Sequence, residues 1–328
     1  MAQHFLLSTA ARTLTVASVA RMSEEEAQAA FQAIRWADNS GQPYCPACGC
    51  ASISTYKARP IFKCKGCGHQ FSATSGTIFA AHKRPIRDYL LAIAIFANGA
   101  KGHSALQLSR ELDCQYRTAF VLAHKIREAI ATEGVSKVGG EGKSVEIDGA
   151  YFGGYVKPAN WKQNRRDRRF ALNQSGKRRC VVVMRERNGR SLPFVFRAED
   201  ASIPAIRDHV APGTMLYADD ASHWDQLHAR YLTKRINHSQ NYSDCNGTST
   251  NQAESFFSRI RRAEIGTHHH IAGPYLAAYS QEMSWREDNR RISNGELYLM
   301  AANAAAKHPV SKQWKGYWQR HIAKEAAE

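Results

Sequence analysis

Ser144-Val145-Glu146-Ile147-Asp148-Gly149-Ala150-Tyr151-Phe152 decides the reading of this chain. The run is β-like, and an acid, Asp148, would project from the strand. Downstream, Cys180 to Arg187 and Leu192 to Ala198 are β-like runs separated by Asn188-Gly189, a strong hairpin signal. A helix fits Ile203 to Val210, a short strand Thr214 to Ala218, a helical stretch Ser222 to Tyr231 and another strand Thr233 to Asn237. Thr250 to Ala263 and Pro274 to Trp285 read as helices.

That order is three strands, then helix, strand, helix, strand, helix. It predicts an α/β domain of ribonuclease-H-like fold, a mixed sheet flanked by helices. Two further acids fall at comparable places. Leu216-Tyr217-Ala218-Asp219-Asp220 ends a second strand in acid, and Thr250-Asn251-Gln252-Ala253-Glu254 opens a helix with a third. Cutting or joining a phosphodiester needs an activated hydroxyl and a stabilised leaving oxygen, which two Mg²⁺ (or Mn²⁺) ions about 4 Å apart supply. Such ions take hard oxygen ligands, so an ordered trio Asp148, Asp219 and Glu254 suits them. Any one of these acids alone would more simply cap a turn or face solvent. Arg261 stands two helical turns after Glu254 on the same face and would hold a DNA phosphate; Ser258 lies between them.

Upstream, Cys45-Pro46-Ala47-Cys48 and Cys64-Lys65-Gly66-Cys67 are separated by fifteen residues. Two such knuckles gather four thiolates around one structural Zn²⁺ in a closed, non-catalytic site. Gly49 and Gly68 follow the pairs where the chain must curl, and Ile53, Tyr56, Ile61 and Phe62 supply short hairpin strands. Cys50 and His69 are near enough to compete as ligands, but the frame does not need them. Eight cysteines in all, half of them in this frame, suit a reducing compartment.

Ser23-Glu24-Glu25-Glu26 is a capping box opening a helix to about Arg35, and Asp38-Asn39-Ser40-Gly41 stops it. From Pro85, Tyr89, Leu90, Ile93 and Phe96 share one helical face up to Gly99. Ser104 to Leu112, the turn Asp113-Cys114-Gln115 and Tyr116 to Ile130 read as helix-turn-helix. In that reading Gln115, Tyr116, Arg117 and Lys125 point toward DNA; a helical hairpin that only packs is the plainer alternative. A Gly-rich break at 134–142 separates this region from the α/β domain. The expected organisation is an N-terminal helical segment (1–40), zinc ribbon (41–80), helix-turn-helix-like region (81–133), α/β domain (143–292) and helical tail (293–328).

The formal net charge is +16, which points to a polyanion. No apolar run approaches the roughly 20 residues of a membrane span, and the opening residues lack a clear signal peptide, so nucleic acid is the expected partner and the cytoplasm the expected place. Between Gly154 and Cys180, nine Lys or Arg face one Asp. Here Lys162, Arg165, Arg166, Arg168, Arg169 and Arg178 would neutralise phosphates, and Trp161 would stack on an unpaired base.

The chain resembles the zinc-ribbon insertion-sequence transposases with an ISXO-type, integrase-like DDE domain. The resemblance spans roughly residues 23–291 and rests on the cysteine pairs, Phe71-Ser72-Ala73-Thr74-Ser75-Gly76-Thr77-Ile78-Phe79, Glu146-Ile147-Asp148-Gly149-Ala150-Tyr151-Phe152-Gly153-Gly154 and Tyr217-Ala218-Asp219-Asp220. It continues through Asn237-His238-Ser239, Thr250-Asn251-Gln252-Ala253-Glu254-Ser255-Phe256-Phe257, Gly266-Thr267-His268-His269-His270-Ile271 and Trp285-Arg286. It implies Mg²⁺-dependent cleavage and strand transfer at the inverted repeats of a mobile element, by a dimer or higher oligomer on double-stranded DNA in the bacterial nucleoid. It also implies that Asn251 or Glu254 completes the metal site, that Asp220 supports it from behind, and that His238, His268 and His269 serve DNA or the active site. The competing reading is a catalytically silent, transposase-derived regulator that only binds DNA. A nuclease of the same fold, which cuts without joining, is a third.

Overall fold

The computed structural model describes residues 5–56, 59–132, 136–153, 160–166, 173, 176–236 and 249–317. His238, Arg168 and Arg169 lie outside them. Contacts divide the chain into two compact units, Met1–Glu133 with Arg291–Glu328, and Gly134–Arg290.

The first unit opens with α1 (Val16–Ala20) and α2 (Glu24–Arg35). The capping box at Ser23 is present: its hydroxyl accepts the Glu26 N–H, and the Glu26 carboxylate accepts the Ser23 N–H at 2.8 Å. Three short antiparallel strands, β1 (Ile53–Thr55), β2 (Ile61–Cys64) and β3 (Gln70–Ser72), follow. Their apolar side, Phe62 and Phe71, packs edge-on or tilted against Trp36 and against each other. Arg35 is buried and donates to the carbonyls of Ser72, Ala73 and Ser75, tying the end of α2 to the turn after β3. α3 (Ile86–Asn98) starts after Pro85, where no side chain of its own caps it; the Glu24 carboxylate instead accepts the N–H groups of Ile86 and Arg87 at 2.8 and 3.2 Å. α4 (Ala105–Glu111), capped by Ser104, and α5 (Tyr116–Thr132) pack together across a short turn with Asp113 in the left-handed region.

The second unit is a five-stranded mixed sheet with helices. A two-residue strand β4 (Val138–Gly139) leads to β5 (Ser144–Phe152), β6 (Arg179–Glu186) and β7 (Ser191–Phe196), which pair antiparallel. The β6–β7 turn is at Asn188, whose φ of 59° is the left-handed value a tight hairpin requires. α6 (Ile203–His209) and β8 (Val210–Ala211), the parallel partner of β4, precede β9 (Met215–Asp219) and β10 (Leu232–Ile236). β9 pairs parallel with both β5 and β10, giving the order β10-β9-β5-β6-β7. The expected helix after Asp220 is only a 3₁₀ turn, Ser222–Leu227. α7 (Asn251–Ala263) widens into a π turn at Glu264–His268, and α8 (Leu276–Asp288) completes the unit.

Alternation along β5 and β6 feeds two cores. Val145, Ile147, Val182 and Met184 join Ile203, Ile206 and Trp224 on one face. Ala150, Phe152, Val181 and Val183 join Phe256, Phe257, Ile260 and Met283 on the other. The middle of β6, Cys180 to Met184, is therefore buried on both sides, which is why those five residues form an unbroken apolar run.

The last helix, α9 (Asn294–Lys307), belongs to the first unit. It buries Ala301, Ala302, Ala304, Ala305 and Ala306 among α2, α3 and α5, where small side chains permit close approach. Among the described residues no helix is long and apolar enough to cross a membrane.

Candidate metal and nucleic-acid sites

The four Sγ atoms of Cys45, Cys48, Cys64 and Cys67 all lie within 4.8 Å of one another. Each knuckle curls the same way: Gly49 and Gly68, at φ 74° and 75°, donate their N–H groups to the carbonyls of Cys45 and Cys64. The N–H groups of Cys67 and Gly66 point at Cys64 Sγ and bring its thiol down to about 6, the direction that favours the ligating thiolate. Geometry and donor chemistry fit tetrahedral Zn²⁺. Neither Cys50 nor His69 belongs to the cluster; His69 stacks on Phe71 instead.

In the second unit, Asp219 ends β9, while Asp148 lies within β5, which runs on to Phe152 against β6. Ile147↔Ala218 is the last pair of the parallel β5–β9 register, so Asp148 and Asp219 stand side by side just beyond it. This is the edge at which open α/β sheets bind ligands. Asp148 accepts the Gly149 N–H at 2.8 Å. Asp219 is held more firmly: its Oδ1 accepts the indole N–H of buried Trp224 at 2.7 Å and the Ala221 N–H at 3.2 Å. Arg235 on β10 donates to the carbonyls of Asp219 and Ala221 and pairs with Asp225 at 2.7 Å, fixing the loop after β9.

The third acid arrives by a different route. Thr250 gives α7 no side-chain cap. The carboxylate of Glu146, 1% exposed and two residues before Asp148, accepts the Gln252 and Ala253 N–H groups at 2.8 and 3.1 Å. Arg187 pairs with the same carboxylate at 2.8 Å, donates to Ser249, and lies 3.8 Å over the Tyr217 ring. An anion at a helix N-terminus satisfies orphan donors and the helix dipole. The strand carrying Asp148 is thus bonded directly to the helix carrying Asn251 and Glu254. Glu254 is half-buried and Asn251 exposed.

A fourth carboxylate joins them. Glu199, in the turn between β7 and α6, reaches Gly149 of β5 from the opposite face. Burial, reinforced by the charges of Asp219, Glu199 and Glu254, pushes Asp148 up to about 7. Burial and Asp219 likewise push Glu199 up to about 7. The acids are electrostatic neighbours rather than a closed ligand shell: among the described residues only the four cysteines bring their ligand atoms within 4.8 Å of one another. Sequence reading singled out neither Glu199 nor Glu146. Glu199 carried the same signal as Asp219, an acid at the end of a β-like run; Glu146 looked like one more strand residue.

The remaining sequence candidates occupy varied positions. Arg261 is exposed, its guanidinium 5.9 Å from the Phe152 ring. Ser258 accepts from Arg262 at 2.8 Å. Gln115, Tyr116 and Arg117 are exposed at the start of α5, while Lys125 is half-buried and burial lowers its pKa. Trp161 is 75% exposed, beside exposed Lys162, Arg165 and Arg166. Arg178 covers the Tyr151 ring at 4.5 Å. His268 packs edge-on against Tyr279, and His269 is exposed with φ 59°.

Two family models match this chain. One, described as "ISXO2-like transposase domain", covers residues 138–288; the other, "Transposase zinc-ribbon domain", covers residues 22–70. A protein of Halobacterium salinarum described as "Uncharacterized protein in transposable element ISH50" is 24% identical over 280 residues, 81% of this chain and 92% of that protein. No solved structure matches.

Proposed function

We propose that this chain, which carries the zinc-ribbon and ISXO2-like domains of insertion-sequence transposases, cuts and joins DNA at the edge formed by β5, β9 and α7. One observation carries the proposal: two acids stand side by side where the parallel pairing of β5 with β9 ends, and a third rides on a helix latched to β5 through Glu146. Mixed strand order with helices on both faces supports a ribonuclease-H-like domain.

Asp148, Asp219 and Glu254 offer hard, anionic oxygens, which fit Mg²⁺ or Mn²⁺ and no soft metal. Two such ions would activate the attacking hydroxyl and stabilise the leaving oxygen. The chain's own part is positional. Trp224 sets the Asp219 carboxylate and Arg235 the backbone of the loop after it; Glu146 and Arg187 set the first turn of α7. Asn251, three residues from Glu254 on the same face, orients that carboxylate or a water. Asp220 supports the site from behind. Arg261, two turns along, takes a neighbouring phosphate. In strand transfer a DNA 3′-hydroxyl bonds to the target phosphorus in line as the opposite P–O bond breaks, so bond number is conserved.

The zinc ribbon, the α4–α5 pair read as helix-turn-helix through Gln115, Tyr116, Arg117 and Lys125, and the basic segment from Trp161 to Arg178 (with Arg168 and Arg169) would hold element ends and target as double-stranded DNA. His238, His268 and His269 belong with that DNA surface, and the working form is a dimer or larger on paired ends in the nucleoid. The test is product analysis with a duplex carrying the element's terminal repeat and Mg²⁺. Joined strands support the proposal. Cut but unjoined strands indicate a nuclease, and binding without nicking a silent regulator.

A further inference from the structure

We propose that Arg259 is a positioning residue for Glu254. Through the buried carboxylate of Glu287 on α8 it fixes α7 on the far side of Glu254 from the Glu146 latch, and so sets where the third acid stands. The inference rests on the proposed catalytic reading and adds a residue to it.

α7 lies on β5 and β6 through Ala253, Phe256, Phe257, Ile260 and Ala263. Apolar burial is non-directional. Charged contacts are what tie single points of this helix to single points of its neighbours, and Glu254 lies between two of them. On its N-terminal side, Glu146 accepts the Gln252 and Ala253 N–H groups. Five residues after Glu254, Arg259 Nε stands 2.7 Å from Glu287 Oε2. That approach is an ion pair rather than an aligned hydrogen bond. Its strength comes from how little water reaches Glu287, whose side chain is 4% exposed.

Glu287 is held in turn. Its Oε1 lies 3.6 Å from Arg185 Nη2 and pairs with Arg290. Arg185, itself buried, pairs with Asp288 at 2.9 Å and donates to the Ser191 hydroxyl and the Gly189 carbonyl. On β6, Arg185 is the register partner of Glu146. Both ties on α7 therefore lead back to one row of the sheet, directly through Glu146 and indirectly through Glu287 and Arg185. A helix tied on either side of Glu254 presents that carboxylate at one place, as a metal ligand requires. The Arg259 side chain is 43% exposed, so its loss costs the fold little.

The experiment uses the full-length, zinc-loaded chain and two readouts. One is Mn²⁺ titration by calorimetry without DNA, which a cation that only touched DNA, or only stabilised the fold, would not change. The other is the Mg²⁺ midpoint of single-turnover strand transfer. Arg259→Ala should weaken Mn²⁺ binding and raise the Mg²⁺ midpoint, each by about 10-fold. Arg259→Lys, which keeps the cation, should recover most of both. Arg290→Ala takes a different cation from the same carboxylate and leaves α7 tied, so it should stay close to wild type. Wild-type Mn²⁺ affinity in Arg259→Ala overturns the inference, as does an equal loss in Arg290→Ala. If Asp148→Asn abolishes Mn²⁺ binding while Arg259→Ala leaves it intact, the catalytic reading survives and only this inference fails. If Asp148→Asn changes neither Mn²⁺ binding nor strand transfer, the catalytic reading fails and takes this inference with it. Should Arg259→Ala not fold, Arg259→Gln decides in its place.

Discussion

Trp224 is completely buried, yet its indole N–H is spent on Asp219 Oδ1. Trp224→Phe keeps most of the ring packing and removes that donor. The expected cost in stability is about 1–2 kcal/mol, whereas the rate of strand transfer should fall by at least 10-fold because the carboxylate is no longer oriented; denaturant melts and single-turnover rates on the same preparation check both. A rate unchanged beside a lowered stability would make Trp224 a packing residue only. Asp219 and Glu254 were legible in the sequence because each stands at an element boundary, and Asp148 because it is an acid set within a β-like run. Glu199 stands at such a boundary too. It was missed because what gives it meaning, the missing Cβ of Gly149, is fifty positions away in the chain and becomes a neighbour only through the sheet. Trp224 was unreadable for another reason: an aromatic between polar residues looks the same whether or not its N–H has a partner.

At the scale of elements, α7 depends on a strand residue for its cap. Arg187→Ala leaves the buried Glu146 carboxylate without its cation, and removing one partner of a buried pair costs about 3–5 kcal/mol; since the Arg187 side chain is 22% exposed, the lower end is expected. Hydrogen exchange should locate the loss in the amides of Gln252 and Ala253 rather than spread it evenly. The zinc ribbon makes a second case. Its strands are three or four residues long, too short to persist alone, and metal binding is its folding energy. Chelation of zinc, or Cys64→Ser, should melt β1–β3 and expose Trp36, read as a red shift of the emission that Trp36→Phe removes; an unshifted spectrum after metal loss would contradict this. The Ser23 capping box, the Asn188-Gly189 hairpin and the cysteine frame made their elements legible, since each is a local signal. The paired strands β4 and β8 were not, because two-residue strands have no period. Ser222 to Tyr231 reads as a longer helix than forms: the chain leaves the 3₁₀ turn at Leu227 so that Tyr231 can bury itself and bond the Val210 carbonyl at 2.9 Å.

For the whole molecule, the division runs through the chain twice. Residues 134–290 contain both faces of their own sheet and should fold as an isolated fragment with one cooperative melt. Removal of residues 291–328 should instead destabilise the first unit, because α9 buries its alanines against α2, α3 and α5. The tail's helix was legible and its destination was not, since an alanine-rich face fits any closely packed neighbour. The charge of +16 sets the expectation for DNA affinity to fall steeply with salt. None of that separates a transposase from a protein that merely binds DNA. The measurement that does is strand transfer in Mg²⁺ by full-length Asp148→Asn and Asp219→Asn, on a terminal-repeat duplex that both variants still bind in a gel shift. The account predicts joining reduced by 1,000-fold or more, roughly the effect of losing a principal electrostatic group at a reacting centre, with binding within a few-fold of wild type. Joining that continues undiminished in either variant would contradict it.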